Sequence, residues 1–444
     1  MLQEDINKDR IFIVYKSRIE NRLDAQFYNV NLNLSGFTKL SSVAIVKGGK
    51  RIPKGYYYSS QPTQYFYLRV ADMISETQVN VDNLMHISKD LFDILKKYEI
   101  FEGELAISIA GTIGKTCILK NIPKGKRIIL TENAAKILIK PHVELLPEYL
   151  KICFDLPIVK KQLELNYIQT TIPKLGLDKI LGIKIPPIPK IQKQNDIINI
   201  IKFALHQKQS KDIEAKNLLD SINNYLVNEL GIIIPKIEKK LKNRIFFSSL
   251  NQIEGNRIDP TFILYFGKNV SSTKYKNIYL RSIAHIVKGN ALSSSEVESG
   301  DIPVIAGGKT SPYKHNKSNY EGNVITVSAS GAYAGYVWYH DYPIYATDCS
   351  VIFSKDESTY LTKYLFEVLK LQQNAIYRLQ TGAAQPHVYP ADLQMLNIPI
   401  IPIEEQQEIV DNISNIRNKV KELQKEGKDI LENAKQKVEE MIIG

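Results

Sequence analysis

Leu40-Ser-Ser-Val-Ala-Ile-Val-Lys-Gly48 and Leu280-Arg-Ser-Ile-Ala-His-Ile-Val-Lys-Gly289 are two versions of one segment, aligned with one inserted residue. A segment that recurs in order with its neighbours marks an internal duplication, and such a duplication governs the whole fold. Upstream, Arg10-Ile-Phe12 recurs as Arg244-Ile-Phe246, and Ile19-Glu-Asn-Arg-Leu-Asp-Ala-Gln-Phe27 as Ile253-Glu-Gly-Asn-Arg-Ile-Asp-Pro-Thr-Phe262. Downstream, Ser108-Ile-Ala-Gly-Thr-Ile-Gly114 answers Ser328-Ala-Ser-Gly-Ala-Tyr-Ala-Gly335, and Thr131-Glu132 answers Thr347-Asp348. Gln169-Thr170 then pairs with Gln380-Thr381, Ile185-Pro186 with Ile398-Pro399, and Gln194–Ile198 with Gln406–Val410. Between these landmarks the copies diverge, most of all in 47–58 and 291–311. A shared frame with unlike variable segments is what one scaffold needs to read two different targets.

Each copy reads as α+β. Short β-rich runs at 65–70, 105–109, 128–130, 135–139, 324–328 and 350–353 are bounded by Gly, Pro and Asn turns, and helices are expected at 147–166 and 360–377. Each copy then meets a proline cluster, Ile185-Pro-Pro-Ile-Pro189 or Ile398-Pro-Ile-Ile-Pro402, which ends the preceding structure and opens a long helix. The C-terminal helix repeats apolar residues in steps of four and three: Ile409, Ile413, Ile416, Val420, Leu423, Ile430, Ala434, Val438 and Met441, a coiled-coil seam interrupted by Gly427. The central helix carries Ile197, Ile201, Ala204, Ala215, Leu218, Ile222 and Tyr225, with Lys208 and Lys211 on the same seam. Because each helix follows a copy of the same unit, an antiparallel pair under a pseudo-twofold axis is expected. About 35–40 residues at 1.5 Å each give a rod of roughly 55 Å. The expected parts are a first domain at 1–190, a central helix at 191–235, a second domain at 236–403 and a C-terminal helix at 404–444.

The 444 residues exceed one ordinary core and require at least two. A formal charge of +11 favours a polyanionic partner, and its distribution sharpens this. Residues 1–190 carry 28 basic and 19 acidic side chains and 240–403 carry 16 and 12, whereas 191–239 carry 7 and 6, and 404–444 carry 7 and 10. The excess lies on the two large segments and not on the helices. No apolar run approaches the ~18–20 residues of a membrane span, and the N-terminus shows no basic segment followed by an apolar one, so a cytoplasmic protein is expected. Cys117, Cys153 and Cys349 lie far apart without CxxC spacing, and the seven histidines form no ligand pattern, so neither disulfide nor metal site is expected.

Catalytic motifs fail on inspection. Gly111-Thr-Ile-Gly-Lys-Thr116 ends like a phosphate loop, but Ile109 stands where its first glycine belongs and the second copy lacks the lysine. Asp259-Pro-Thr-Phe262 faintly resembles the DPPF-type tetrapeptide of amino-methyltransferases, yet its counterpart Asp24-Ala-Gln-Phe27 has no proline. Phe101-Glu-Gly-Glu-Leu105 lacks the second glycine of a methyl-donor loop.

Affinity for DNA comes from cations on phosphates and specificity from polar side chains on base edges. In the first copy the candidates are Lys50, Arg51, Lys54, Tyr56 and Tyr57 in a Gly-containing stretch, then Thr112, Lys115, Gln169 and Thr170. In the second copy Lys309, Thr310, Tyr313, Lys314 and His315 are expected to play the same part, followed by Ser330, Tyr333, Gln380, Thr381, Gln385 and His387.

The chain resembles the specificity (S) subunit of Type I restriction-modification systems. The likeness rests on Asn21–Tyr28, the Gly331–Gly335 turn with Thr347-Asp-Cys349, Thr381-Gly-Ala-Ala-Gln-Pro-His387, and Ile398-Pro-Ile-Ile-Pro-Ile-Glu-Glu-Gln406 leading into the heptad helix. The first copy departs from it: Ile188–Gln194 has no Glu-Gln pair, and Thr170-Thr-Ile-Pro-Lys174 replaces the Gly-Ala-Ala-Gln-Pro-His run. The resemblance implies two target-recognition domains reading the halves of a bipartite asymmetric site on double-stranded DNA, with the helices setting the gap. It implies two methyltransferase (M) subunits docked on the helices, restriction (R) subunits that join them, and no cofactor on this chain, S-adenosylmethionine, ATP and Mg being used by the partners. Two rival readings are a specificity subunit of a Type IIB-like system, which a neighbouring reading frame would reveal, and a non-enzymatic coiled-coil scaffold touching nucleic acid weakly through charge. A self-sufficient methyltransferase is opposed by the failed motifs.

Overall fold

A computed structural model of the chain describes residues 13–16, 19, 32–73, 79, 81–166, 173–234, 271–382 and 384–444. The landmark pairs at 10–12, 20–27, 244–246 and 253–262 lie outside these, as do Gln169 and Thr170. The chain forms two compact units, one made of Met1–Ser210 with Glu426–Gly444, the other of Lys211–Lys425.

The first unit runs β1 (Thr38–Lys39), α1 (Leu40–Val43), β2 (Ala44–Gly48), β3 (Tyr65–Leu68), β4 (Met85–His86), α2 (Lys89–Leu95), β5 (Glu99–Ile100), β6 (Leu105–Ser108), β7 (Thr116–Ile118), β8 (Arg127–Leu130), β9 (Ala134–Ile139), α3 (Pro147–Asp155), α4 (Pro157–Asn166), α5 (Leu177–Gly182), β10 (Lys184–Ile185) and α6 (Ile191–Leu230). One antiparallel sheet has the order β2-β9-β6-β7; a second, β4-β3-β8-β5, contains the parallel pair β3 and β8. All four β6 residues are buried, in keeping with the run Leu105-Ala-Ile107, which shows no apolar-polar alternation. The helix expected over 147–166 is two helices, because Pro157 biases Leu156 to an extended conformation and so ends α3 there.

The second unit carries β11 (Ile232–Ile233), β12 (Ser271–Ser272), β13 (Asn277–Tyr279), α7 (Leu280–Ile283), β14 (Ala284–Lys288), β15 (Ile302–Ile305), β16 (Lys314–His315), β17 (Val324–Ser328), β18 (Val337–His340), β19 (Tyr345–Ala346), β20 (Cys349–Ser354), α8 (Thr362–Leu371), α9 (Gln373–Tyr377), α10 (Pro390–Leu393), β21 (Asn397–Pro399) and α11 (Ile403–Ile443). Its sheets, β14-β20-β17-β18 and β16-β15-β19 with β15 parallel to β19, repeat the strand order of the first unit, except that the second sheet has no described counterpart of β5. Here too one expected helix is two: Gln372 leaves helical geometry between α8 and α9, and its buried side chain donates to the Asn397 carbonyl at 2.8 Å.

The duplication extends to single hydrogen bonds. Leu40 N–H donates to the Ile183 carbonyl and Leu280 N–H to that of Leu396, at 2.8 and 2.9 Å. Lys140 Nζ reaches the Ser41 carbonyl at 2.7 Å, and Lys355 Nζ the Arg281 carbonyl at 2.6 Å. Gly49 N–H bonds the Ala134 carbonyl and Gly289 N–H that of Cys349, and a Cβ on either glycine would overlap the carbonyl oxygen of Thr131 or Thr347. Gly289 is therefore the partner of Gly49, not of Gly48, and the segment aligns without the insertion expected from sequence.

Both long helices contribute to each unit, and in each they pair antiparallel. In the first, Ile197 and Ile198 share a core with Val438, and Lys208 lies against Gly427. In the second, Ile222, Leu226 and Leu230 share a core with Ile409, Val410 and Ile413; Ala215 packs with Val420 and Leu423; and Asn412 Nδ2 donates to Tyr225 Oη at 3.0 Å. The seam largely matches the heptad reading, with Ile201, Leu218 and Ile416 half-buried. One position shifts: Leu431 is buried where Ile430 was expected, and Ile430 is half-buried. Gly427, which costs ~1 kcal/mol against alanine in a helix interior, sits where the Lys208 backbone comes close: a Cβ there would lie 3.5 Å from Lys208 Cα. Among the described residues no helix is long and apolar enough to cross a membrane.

Candidate nucleic-acid interface

In both copies the β6–β7 type of hairpin ends on two glycines in the left-handed region, Gly111 (φ 72°) and Gly114 (φ 80°) in the first and Gly331 (φ 81°) and Gly335 (φ 91°) in the second. That requirement explains the apparent phosphate loop: the glycines turn a hairpin. Gly114 N–H returns to the Ser108 carbonyl and Gly335 N–H to that of Ser328, at 3.0 and 2.7 Å. The next chain segment docks beside each turn, Gly111 N–H donating to the Pro173 carbonyl and Gly331 N–H to that of Pro386. Lys174 bridges Ala110 as His387 bridges Ser330, so Lys174 and His387 are positional equivalents.

An acidic residue stands behind each turn. Glu132 accepts from Arg51 Nε at 2.7 Å, Tyr67 Oη at 3.0 Å and Thr131 Oγ1 at 2.9 Å, while Tyr67 Oη also donates to the Lys50 carbonyl at 2.7 Å. Burial pushes the Glu132 carboxyl up, but the hydrogen bonds from Arg51, the backbone, Thr131 and Tyr67 outweigh it and hold the group below its ordinary pKa. The same hydrogen bond raises the Arg51 guanidinium, and burial raises the Tyr67 phenol. In the second copy Asp348, which follows Thr347 as Glu132 follows Thr131, accepts from Ser330 Oγ, while its carbonyl takes the Ala329 N–H as the Asn133 carbonyl takes that of Ile109. Sequence reading marked Thr131-Glu132 and Thr347-Asp348 as landmarks without seeing that they anchor other candidates.

Around the Glu132 network the first copy exposes Lys50, Arg51, Lys54, Tyr56 and Tyr57, the last 81% accessible, and Tyr58 places its ring 6.0 Å from that of Tyr67. Thr112 is exposed on the hairpin, where its carbonyl accepts from Ser108 Oγ; Lys115 is half-buried, its N–H donating to the same hydroxyl at 2.9 Å.

In the second copy the structure gathers Lys309, Ser330, Tyr333, Thr381 and His387. Lys309 Nζ lies 4.3 Å from the Tyr333 ring and 5.6 Å from that of Tyr336, and Lys370 Nζ covers the Tyr336 ring at 4.1 Å. Burial, then Arg417 and Lys309, depress the Lys370 ammonium to about 8. The Gly308 carbonyl accepts from Ser328 Oγ at 3.0 Å, and Gly307 packs tightly on Ser330 and Asp348. Thr381 and His387 exchange backbone hydrogen bonds of 2.9 and 2.8 Å, the His387 ring stacks on Tyr389, and Gln385 and Thr310 are exposed.

Several candidates are differently placed than expected. The Lys309 loop follows β15, the counterpart of β3, whereas Lys50 and Arg51 follow β2, so the two loops leave the frame from different strands; they converge only on the acidic turn. The counterpart of Lys50 is Asn290, which repeats its backbone bond. His315 is not a surface residue: it is 5% exposed, its Nδ1 accepts from Glu298 N–H at 3.1 Å, and its ring meets Tyr345 edge-on. Gln380 spends its amide on the Ala334 carbonyl at 2.7 Å. Tyr313 and Lys314 belong to the β15–β16 hairpin, Lys314 Nζ lying 3.4 Å from Asp301. The three cysteines are buried, which pushes each thiol up to about 12.

Residues 273–433 match the family model described as the Type I restriction modification DNA specificity domain. The Type I restriction enzyme EcoBI specificity subunit of Escherichia coli is 23% identical over 160 residues, 35% of this chain and 32% of that relative, so the match spans about a third of the relative's length. A chain from a structure of a type I R-M system, solved to explain complex assembly and conformational transition, has a TM-score of 0.53 at 13% identity, over 91% of this chain and 96% of that one; the likeness is one of fold. The S subunit of a type I system from M. genitalium gives a TM-score of 0.47 at 15% identity, over 94% of this chain and 98% of that one.

Proposed function

We propose that this chain, whose residues 273–433 form a Type I restriction-modification DNA specificity domain, reads two unlike half-sites on double-stranded DNA and leaves the chemistry to partner subunits. One observation carries the reading. The copies share strand order and individual hydrogen bonds, yet differ in the side chain that the acidic residue holds: Arg51, beyond β2, bonds Glu132 in one copy, and Ser330, beyond β17, bonds Asp348 in the other. Selection for a fold alone would not require the loops to differ while the frame stays fixed.

In this reading Lys50, Lys54 and Lys309 supply phosphate contacts, and Arg51, Thr112, Ser330, Gln385 and His387 face base edges. The paired long helices fix the gap between half-sites and offer docking surface to two methyltransferase subunits, with an ATP-dependent restriction subunit joining them. The target adenine is flipped into the methyltransferase, where S-adenosylmethionine is used.

The test is selection from a randomised duplex library by the full chain with its co-purifying methyltransferase, scored for both retention and methylation. A split motif with a fixed gap is expected. Retention without any sequence preference would favour the charged-scaffold reading instead.

A further inference from the structure

Arg51 differs from the other cations of its loop in being tied by one edge only. Its Nε donates to Glu132 at 2.7 Å, while the side chain as a whole remains 79% exposed. Among the described residues its hydrogen bonding is confined to that Nε, which leaves both Nη groups of a largely exposed side chain to bond a ligand. Glu132 is itself immobilised by Tyr67 and Thr131, and Tyr67 is 3% exposed, so the chain of bonds ends in the core.

A guanidinium has five N–H donors in a rigid fork, and its outward edge matches the O6 and N7 acceptors of guanine in the major groove. An arginine meant only for phosphate gains nothing from this arrangement, since a mobile cation serves as well. One held by a buried network has given up rotamer freedom before binding, which favours a contact with a single geometry.

We infer that Arg51 reads a guanine in the half-site of the first copy, with Glu132 and Tyr67 as positioning residues that aim its outer edge. This rests on the reading of the chain as a DNA specificity subunit. The second copy supports the assignment by contrast. There the acid after the shared threonine, Asp348, holds the Ser330 hydroxyl, which donates to the carboxylate and leaves its oxygen lone pairs to accept from a base. The acidic residue after the shared threonine thus holds a bidentate donor in one copy and, from a different strand end, a small acceptor in the other.

The test applies the library selection to Arg51→Ala, Arg51→Lys and Glu132→Gln in the full chain. For Arg51→Ala, preference for one guanine in one half-site should fall on the order of 10- to 100-fold, with the other half-site unchanged. Arg51→Lys should lose that preference while keeping the salt dependence of binding, because it keeps the charge and removes the fork. Glu132→Gln should broaden the same position and no other; should it misfold, the two Arg51 variants decide alone. An Arg51→Ala protein that binds every sequence more weakly but selects the wild-type motif would make Arg51 a phosphate contact and overturn the inference, leaving the specificity reading intact. A wild-type chain that selects no split motif would overturn the specificity reading, and this inference with it.

Discussion

Gln194 and Gln406 occupy the same place in the two copies, each fully buried at the start of a long helix. The Gln194 amide donates to the Glu144 and Pro189 carbonyls at 2.7 and 2.8 Å and accepts from Leu146 N–H at 2.8 Å. The Gln406 amide donates to the Thr359 and Ile401 carbonyls at 2.9 and 3.0 Å and accepts from Leu361 N–H at 3.0 Å. Each glutamine ties the first turn of its helix to the lead-in of the preceding domain helix. Of the Glu-Gln pair, the first copy keeps the buried glutamine and lacks the glutamate, which in the second copy accepts from Tyr275 Oη at 2.9 Å.

Gln194→Leu and Gln406→Leu should each destabilise their own unit by about 2–4 kcal/mol, since each strands two carbonyls and one N–H in a buried site. Hydrogen exchange measured unit by unit checks this; equal loss of protection in both units from one substitution would contradict it.

Glycine substitutions should divide by site. At Gly427 a Cβ would meet Lys208 Cγ at 3.4 Å, an ordinary contact, so Gly427→Ala should be neutral or stabilise by up to about 1 kcal/mol through helix propensity. At Gly49 and Gly289 the Cβ would strike a backbone carbonyl, so Gly49→Ala and Gly289→Ala should each cost on the order of several kcal/mol. Thermal unfolding of the three variants gives the ranking.

Lys370 sets a pH dependence. Between about 8, its folded value, and its ordinary 10.5, the lysine is neutral in the folded chain and charged in the unfolded one. The folded state then binds fewer protons, so its stability rises with pH across that window. Comparing wild type with Lys370→Met in urea from pH 7.5 to 10.5 should show the rise only in wild type, on the order of 1–3 kcal/mol once partial exposure is allowed for. Parallel curves would contradict the assignment.

Lys309, exposed and held over two tyrosines, is a phosphate contact in the proposed reading. Lys309→Ala should weaken DNA binding for all sequences alike and lower the slope of log affinity against log salt by about 0.9. A changed base preference with an unchanged slope would make it a reader instead.

How far the sequence discloses this protein depends on the kind of residue. The duplication, the α+β class and the helix pair were legible because frame residues such as Leu40 and Leu280, or Ile185 and Ile398, meet the same burial in both copies. Register was less legible: the ends of the Leu40 and Leu280 segments tempt an inserted residue that only the Thr131 and Thr347 carbonyls exclude. The candidate surface was the least so. His315 looks like its polar neighbours but lies inside, because strand alternation turns it inward. Gln380 is spent on a backbone carbonyl, and the value of Glu132 comes from Arg51 and Tyr67, far away in sequence.

The most direct test of two independent readers exchanges residues 21–185 for the matching segment of a related chain with a different target, and repeats the library selection. The account predicts that one half-site changes to that of the donor while the other half-site and the gap persist. A motif unchanged in both halves, or changed in both, would contradict it.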